Sequence, residues 1–345
     1  MVHLSYLKLV VSSFNLRRSL LIFFLILSNL IFAQWQKINL ETKASFRALK
    51  VSGNHLWAGG TKGTILHFEN SLDHPQVIQV PGASTLDFRD IAILPDQQLL
   101  AMSAGPSEQG AAVVFYSNDL GKTWLKVFEL KEPGYFFDAI LYDSENSKGY
   151  LLSDPINQQL TLFEFDLNLE FKQINMANMP YMLSKEAFFA ASGSSMVIHQ
   201  NHLYLITGGS EKARIWRSKD LQAKEWEIVN EEVSAGANKG FFSIACSTKE
   251  CLVAGGDYTK LNESPIPMLI GTSSNFKPFG SSPGFYVEKV LLIKKSWWAT
   301  GPAGTSIFSN KTKSWIFFDK TPLHNIVIFK KWIVGIGKEV VKVKS

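Results

Sequence analysis

Six charged residues carry most of the chemistry this sequence could support: Arg47, Arg89, Asp138, Glu186, Arg214 and Asp257. Arg47, Arg89 and Asp138 each follow a phenylalanine, in Ser-Phe-Arg-Ala-Leu, Asp-Phe-Arg-Asp-Ile and Phe-Phe-Asp-Ala-Ile; Glu186 stands before Ala-Phe-Phe-Ala. Recurrence of a charge beside an aromatic implies equivalent places in a repeat. If those places converge, opposite charges face one another and can hold a small anion, a sugar or a loop of another protein; equally, they can neutralise each other as a solvated lining with no ligand. Ser243, Glu288 and Asn325 align with them, and Arg214 and Asp257 come later in their repeats but lean toward the same mouth. Other chemistries lack their residues. His199-Gln200-Asn201-His202 reads as a turn rather than a ligand pair, and Asp166–Glu170 lacks the glycine and terminal glutamate of a calcium loop. Gly335-Ile336-Gly337 lacks the third glycine of a dinucleotide site and sits near the end of the chain. No metal and no cofactor is expected.

The elements that must position these residues are strands. Short runs rich in Val, Ile, Phe and Trp alternate with Gly, Asn, Asp and Ser clusters, and no amphipathic helix of useful length interrupts them. Aromatic-led strands start near Phe46, Phe88, Phe137, Phe188, Phe242, Tyr286 and His324, between 38 and 54 residues apart. That is the size of a four-stranded propeller blade, so seven starts predict an all-β, seven-bladed β-propeller. A glycine follows the next apolar run in most repeats, as in Leu56-Trp57-Ala58-Gly59-Gly60 and Leu252-Val253-Ala254-Gly255-Gly256, where backbones crowd near the axis. Ser117-Asn118-Asp119-Leu120-Gly121-Lys122-Thr123-Trp124 is an Asp box, with weaker copies at Ser218–Trp226 and Ser309–Trp315. Its Ser117, Asp119, Gly121 and Trp124 suit a hairpin staple: the carboxylate accepts backbone N–H groups, glycine takes a positive φ and the indole folds back onto the blade. Trp35-Gln36-Lys37-Ile38 resembles the strand after such a box, and the chain closes on Val340-Val341-Lys342-Val343. The first residues are therefore expected to complete the last blade and close the ring.

Residues 1–33 read as a secretory signal peptide: Lys8, Arg17 and Arg18 precede an apolar core at Leu20–Leu27, and Ala33-Gln34 offers a cleavage site. Leu30-Ile31-Phe32 prolong that core, so an uncleaved N-terminal anchor is the rival reading. Residues 34–345 would then form one propeller in the periplasm or outside the cell. The formal charge of the 345-residue chain is +5; residues 1–33 hold three cations and no acid, leaving +2 and no electrostatic reason to expect nucleic acid. The two cysteines, Cys246 and Cys251, flank a four-residue turn between the first two strands of the fifth repeat. Flanking positions of such a hairpin lie about 5.5 Å apart, within disulfide range, and an oxidising compartment favours closure. A metal site there would need further ligands, and none is near in sequence.

With these residues in view the chain resembles the photosystem II stability/assembly factor-like propellers. The resemblance spans most of residues 34–345 and rests on Phe46-Arg47, Phe88-Arg89-Asp90, Phe136-Phe137-Asp138-Ala139, Ser153-Asp154-Pro155, Glu186–Gly193 and Gly255-Gly256-Asp257-Tyr258. It implies a seven-bladed propeller that binds other proteins during assembly of a membrane complex. Blades six and seven lack clear Asp boxes, and Phe285-Tyr286-Val287-Glu288 stands where Tyr-Arg-Ser is expected, so a photosynthetic role does not carry over. The expected function is a monomeric, non-catalytic assembly or stability factor for an envelope or membrane protein. The alternative is a glycan-active propeller, a sialidase-like hydrolase or a lectin. Arg47, Arg89 and Arg214 would supply its carboxylate clamp, but no motif fixes the tyrosine–glutamate pair such a hydrolase needs.

Overall fold

The computed structural model describes residues 34–177, 179–262 and 266–345. The chain divides into a unit Met1–Trp35 and a unit Gln36–Ser345. The signal or anchor expected at 1–33 lies outside the described residues, and no helix among those described is long and apolar enough to cross a membrane.

Gln36–Ser345 forms seven four-stranded antiparallel sheets, the blades of a β-propeller. Blade 1 runs Phe46–Ser52, His55–Gly60, Thr64–Glu69 and Gln76–Gln79; blade 2 runs Phe88–Ile93, Leu99–Ser103, Val113–Ser117 and Leu125–Glu129. The inner strands of blades 3 to 7 are Phe137–Asp143, Met196–His199, Lys239–Cys246, Lys289–Ile293 and Asn325–Phe329. Blade 7 is completed by Gln36–Ile38 in register with Val340–Lys342, and Phe46 N–H donates to Gly337 O at 2.8 Å. The ring is thus closed by its N-terminal strand, which leaves no seam where blade 7 meets blade 1.

Burial explains the sequence pattern strand by strand. Second strands such as Leu56–Gly60 and Leu99–Ser103 are buried at every position, because a neighbouring blade packs on each face. The core therefore lies between blades: Phe46, Leu56 and Phe68 of blade 1 pack with Phe329, Val334 and Ile336 of blade 7, and Trp57 and Ile65 pack with Phe88 and Phe115 of blade 2. The glycines ending these strands mark close approach: a Cβ on Gly60, Gly255 or Gly301 would sit 2.0–2.3 Å from a carbonyl oxygen of the adjacent inner segment.

Blade 4 departs from the expected register. Its inner strand begins at Met196 rather than near Phe188. Ala187 bridges to Gly208, the chain then leaves the sheet, and pairing resumes at Met196 opposite Leu205. The intervening Phe188–Ser195 segment is hydrogen-bonded to all six other blades. It meets Arg47 and Arg89 through the carbonyls of Ala191 (3.5 Å) and Ala190 (3.3 Å), and Phe188 N–H donates to Asp154 of blade 3 at 3.0 Å. Ser194 O accepts from Ile244 N–H of blade 5 (2.9 Å), Ser192 Oγ donates to Glu288 O beside blade 6 (2.8 Å), and Asn325 of blade 7 donates to Ser192 O (2.9 Å). A segment tied to every blade crosses the axis and plugs the channel. Small residues permit this crossing, and Ser192, Ser194 and Ser195 satisfy or bury their polar groups within it.

Candidate functional site

Four inner strands share one local device. Blades 1, 2, 3 and 5 each carry a bulge after a fully buried phenylalanine: Phe46, Phe88, Phe137 and Phe241. The extra residue is Arg47, Arg89, Asp138 or Phe242, and a bulge re-aims its side chain off the ladder. Val287 and Leu323, also fully buried, stand before Glu288 and His324 in blades 6 and 7. All six following residues line one cavity of about 480 Å³, floored by Phe188–Ala191 of the plug and walled by Phe136, Asp154, Tyr258 and Tyr286. The charge-after-aromatic pattern therefore does converge, at the mouth of a closed channel.

Two positions in the sequence alignment shift by one residue. Ser243 and Asn325 do not line the mouth; Phe242 and His324 do. Ser243 instead matches Asp90, one step further along, and both reach to the next blade: Asp90 Oδ2 accepts from Ile140 N–H at 3.0 Å and Ser243 Oγ from Val290 N–H at 3.0 Å. Asn325 spans the ring junction with the opposite polarity, donating its Nδ2 to Arg47 O at 2.9 Å. In blade 5 a missed bulge register produces the slip, because the repeat aligns equally well on either phenylalanine of Phe241-Phe242; blade 7 pairs from Asn325 without a bulge, and His324 lies just before its strand.

Glu186 and Arg214 are brought together, but inside blade 4 rather than in the cavity. Arg214 forks onto Glu186, which also accepts from Thr207 Oγ1 (2.6 Å) and Trp216 Nε1 (3.1 Å). Both side chains are almost fully buried; Arg214 also donates to Tyr181 O at 3.0 Å and Glu186 accepts from Leu183 N–H at 2.8 Å, a structural pair. Arg214 consequently does not join Arg47 and Arg89, and the three-arginine clamp of a sialidase-like site is not assembled. Asp257 caps its own turn through Thr259 N–H (2.9 Å) and Oγ1 (2.6 Å), and its neighbour Tyr258 lines the cavity instead.

Charge in the cavity is largely spoken for. Arg47 contacts Glu288 (3.4 Å) and the His324 ring (3.2 Å), His324 Nδ1 pairs with Glu288, and Arg89 Nε donates to Asp87 at 2.8 Å. The exception is Asp138 with Asp154 on the adjoining strand Lys148–Ile156. Burial, and then the charge of Asp154, push Asp138 well above the usual carboxylate range against the pull of Arg89. Burial likewise pushes Asp154 up to about 6, opposed by the Phe188 N–H bond. The two carboxyls thus titrate as an interacting pair, each charge disfavouring the other. The walls are aromatic: Phe189 stacks on Phe242 with centroids 4.0 Å apart, and Tyr286 meets Phe242 edge-on at 4.8 Å. The sequence reading missed these aromatics as a group and missed Asp154 as a partner of Asp138, although both carboxyls stand in the strings that carry the family resemblance.

Away from the mouth, the Ser117–Trp124 turn is a staple. Asp119 Oδ1 accepts from Thr123 N–H (2.9 Å) and Ser117 Oγ (2.9 Å), Oδ2 accepts from Thr123 Oγ1 (2.6 Å), and Trp124 Nε1 donates to Gly121 O (2.9 Å). The Thr123 hydroxyl, chiefly, holds the Asp119 carboxyl down to about 2. At Ser218–Trp226 the same indole bond returns to Ala223 O (2.8 Å), with Ala223 at φ +54° in place of the glycine. The structure joins Cys246 and Cys251 as a disulfide with Cα atoms 3.9 Å apart, closer than the 5.5 Å expected. Ser247 N–H bonds Glu250 O next to them, so the cysteines occupy the narrow, non-hydrogen-bonded pair. His199 of blade 4 brings one ring nitrogen within 4.8 Å of both sulfurs, a proximity invisible in sequence, but sulfurs in a disulfide are not thiolate ligands.

No family model and no curated protein matches the chain. Its fold is similar to solved propellers at low identity. YCF48 from Cyanidioschyzon merolae is 12% identical over 90% of this chain and 99% of its own, with a TM-score of 0.64. YCF48 bound to D1 peptide is 14% identical over 92% and 98%, with a TM-score of 0.61. The extracellular domain of a hybrid two-component system from B. thetaiotaomicron is 13% identical over 90% of this chain and 41% of its own, with a TM-score of 0.62.

Proposed function

We propose that this chain is an exported, non-catalytic propeller that acts as a single chain and docks a segment of an envelope or membrane protein in its mouth, serving that protein's assembly or stability. The observation that carries this reading is the cavity itself: six positions from six blades, within or just before the inner strands, converge on an aromatic-walled recess floored by the plug. Such a recess suits an inserted side chain or peptide turn, since aromatic faces supply contact area at small entropic cost. A similar propeller has been solved with a D1 peptide bound, which supports a peptide as occupant. The basic, apolar N-terminal segment supports export.

The experiment is capture from membrane extract by the tagged protein. A partner whose capture is lost with Phe242→Ala and Tyr258→Ala, yet kept with Asp119→Ala, supports the reading. A partner captured equally by all three variants, or turnover of a fluorogenic sialoside abolished by Arg47→Ala, overturns it.

A further inference from the structure

Asp138 is fully buried, and neither of its carboxylate oxygens has a hydrogen-bond partner. Among the described residues Asp154 accepts only the Phe188 N–H bond. A buried carboxylate without partners is costly unless a proton or a cation meets it. The cations already present do not. Arg47 is spent on Glu288, His324 and Ala191 O, and Arg89 on Asp87 and Ala190 O. Arg89 bears on Asp138 through charge alone. The mouth thus holds an unanswered acid pair within walls of Phe136, Phe188, Phe189, Phe242, Tyr258 and Tyr286.

Acid below and aromatic faces around is the arrangement that recognises an organic cation: the carboxylates take the N–H donors, and the rings favour positive charge over their faces. An incoming carboxylate or phosphate would meet two acids instead. A bare calcium ion requires roughly six to eight oxygen ligands, whereas aromatic rings and two arginines take up much of this lining, and Glu288 is already paired with Arg47 and His324. We propose that the Asp138–Asp154 pair anchors a lysine or arginine side chain of the docked segment. This inference rests on the docking reading and names the chemistry of its occupant. Burial raises both groups, so any proton the pair holds is displaced to solvent as the cation enters.

The test uses the full-length protein and four terminally blocked Gly/Ser pentapeptides carrying lysine, arginine, norleucine or glutamate at the centre. Binding is followed by NMR titration and by calorimetry at pH 6 in buffers of different ionisation enthalpy. The lysine and arginine peptides are expected to bind at least ten-fold more tightly than norleucine, with proton release. Asp138→Asn and Asp154→Asn should each remove that preference while leaving norleucine binding and the melting temperature little changed. Equal binding of lysine and norleucine, preference for glutamate, undiminished lysine binding in the double Asn variant, or no lysine binding at millimolar peptide each overturn the proposal. No lysine preference in the unaltered protein, with mouth-dependent partner capture intact, removes this anchor alone. A partner captured equally by the Phe242 and Tyr258 variants removes the docking reading, whatever the peptides do.

Discussion

At Gly193 the plug lies against the buried carboxylate of Asp90. This glycine sits at φ +61°, and a Cβ added there would lie 2.2 Å from both Cγ and Oδ1 of Asp90. Asp90 cannot give way freely. Its carboxylate accepts from Ile91 N–H (2.9 Å) and Ile140 N–H (3.0 Å) and is paired with Lys50 Nζ (3.0 Å), all in a fully buried position. Gly193→Ala therefore carries two costs. The left-handed backbone disfavours a Cβ by about 1–2 kcal/mol. Displacing the carboxylate sacrifices a charge-assisted bond of about 1.5–3 kcal/mol. Together they predict destabilisation of about 3–5 kcal/mol, and a midpoint lowered by roughly 5–10 °C for a domain of this size. Gly82→Ala is the control: φ is +75° and nothing lies within 4 Å of the new Cβ, so it bears the backbone cost alone. Urea and thermal unfolding of both variants separate the two costs. Equal destabilisation by Gly193→Ala and Gly82→Ala would refute the claim that the plug is wedged against Asp90.

Removing Gln36–Ile38 deletes a paired strand and exposes the edge of Val340–Lys344, so the whole ring should melt lower by several degrees, and an unchanged midpoint would count against closure. Asp154, raised to about 6 when folded, binds its proton more tightly than in the unfolded chain. Its contribution to stability is therefore greatest below about pH 4 and is lost as pH rises through about 6; Asp154→Asn should flatten that part of the stability–pH curve by about 1–3 kcal/mol, measured by urea unfolding across pH 4–7. Asp119 has the opposite sign: held down to about 2, its contribution persists above pH 4 and is lost as pH falls toward 2. Asp119→Ala should lower the melting temperature at neutral pH and leave partner capture unchanged. Mass spectrometry of exported, non-reduced protein should find Cys246 and Cys251 unreactive to alkylation, and two labelled thiols would contradict the disulfide.

The blade count, the all-β class and the pairing of the ends were legible from residue order, because each is set by local periodicity and by turn chemistry. Phe46, Phe88 and Phe137 recur because every blade must bury the same position against its neighbour, and Trp35–Ile38 looks like an outer strand because its partner strand lacks one. The staple at Ser117–Trp124 was equally local, its bonds running between residues at most four apart. The site was only half legible. Arg47, Arg89, Asp138 and Glu288 could be aligned by their aromatic or apolar neighbours, but one bulge more or less exchanges Phe242 for Ser243, and periodicity cannot register a bulge. Only the tertiary structure decided that Glu186 spends its charge on Arg214 inside blade 4, that Asp154 joins Asp138, and that Phe188–Ser195 leaves its own blade to cross the axis. Glu186 meets Arg214 within blade 4 and Asp138 meets Asp154 within blade 3, brought together by the packing of neighbouring strands. The plug's partners, up to 144 positions away, are assembled by closure of the ring, which no window of sequence contains.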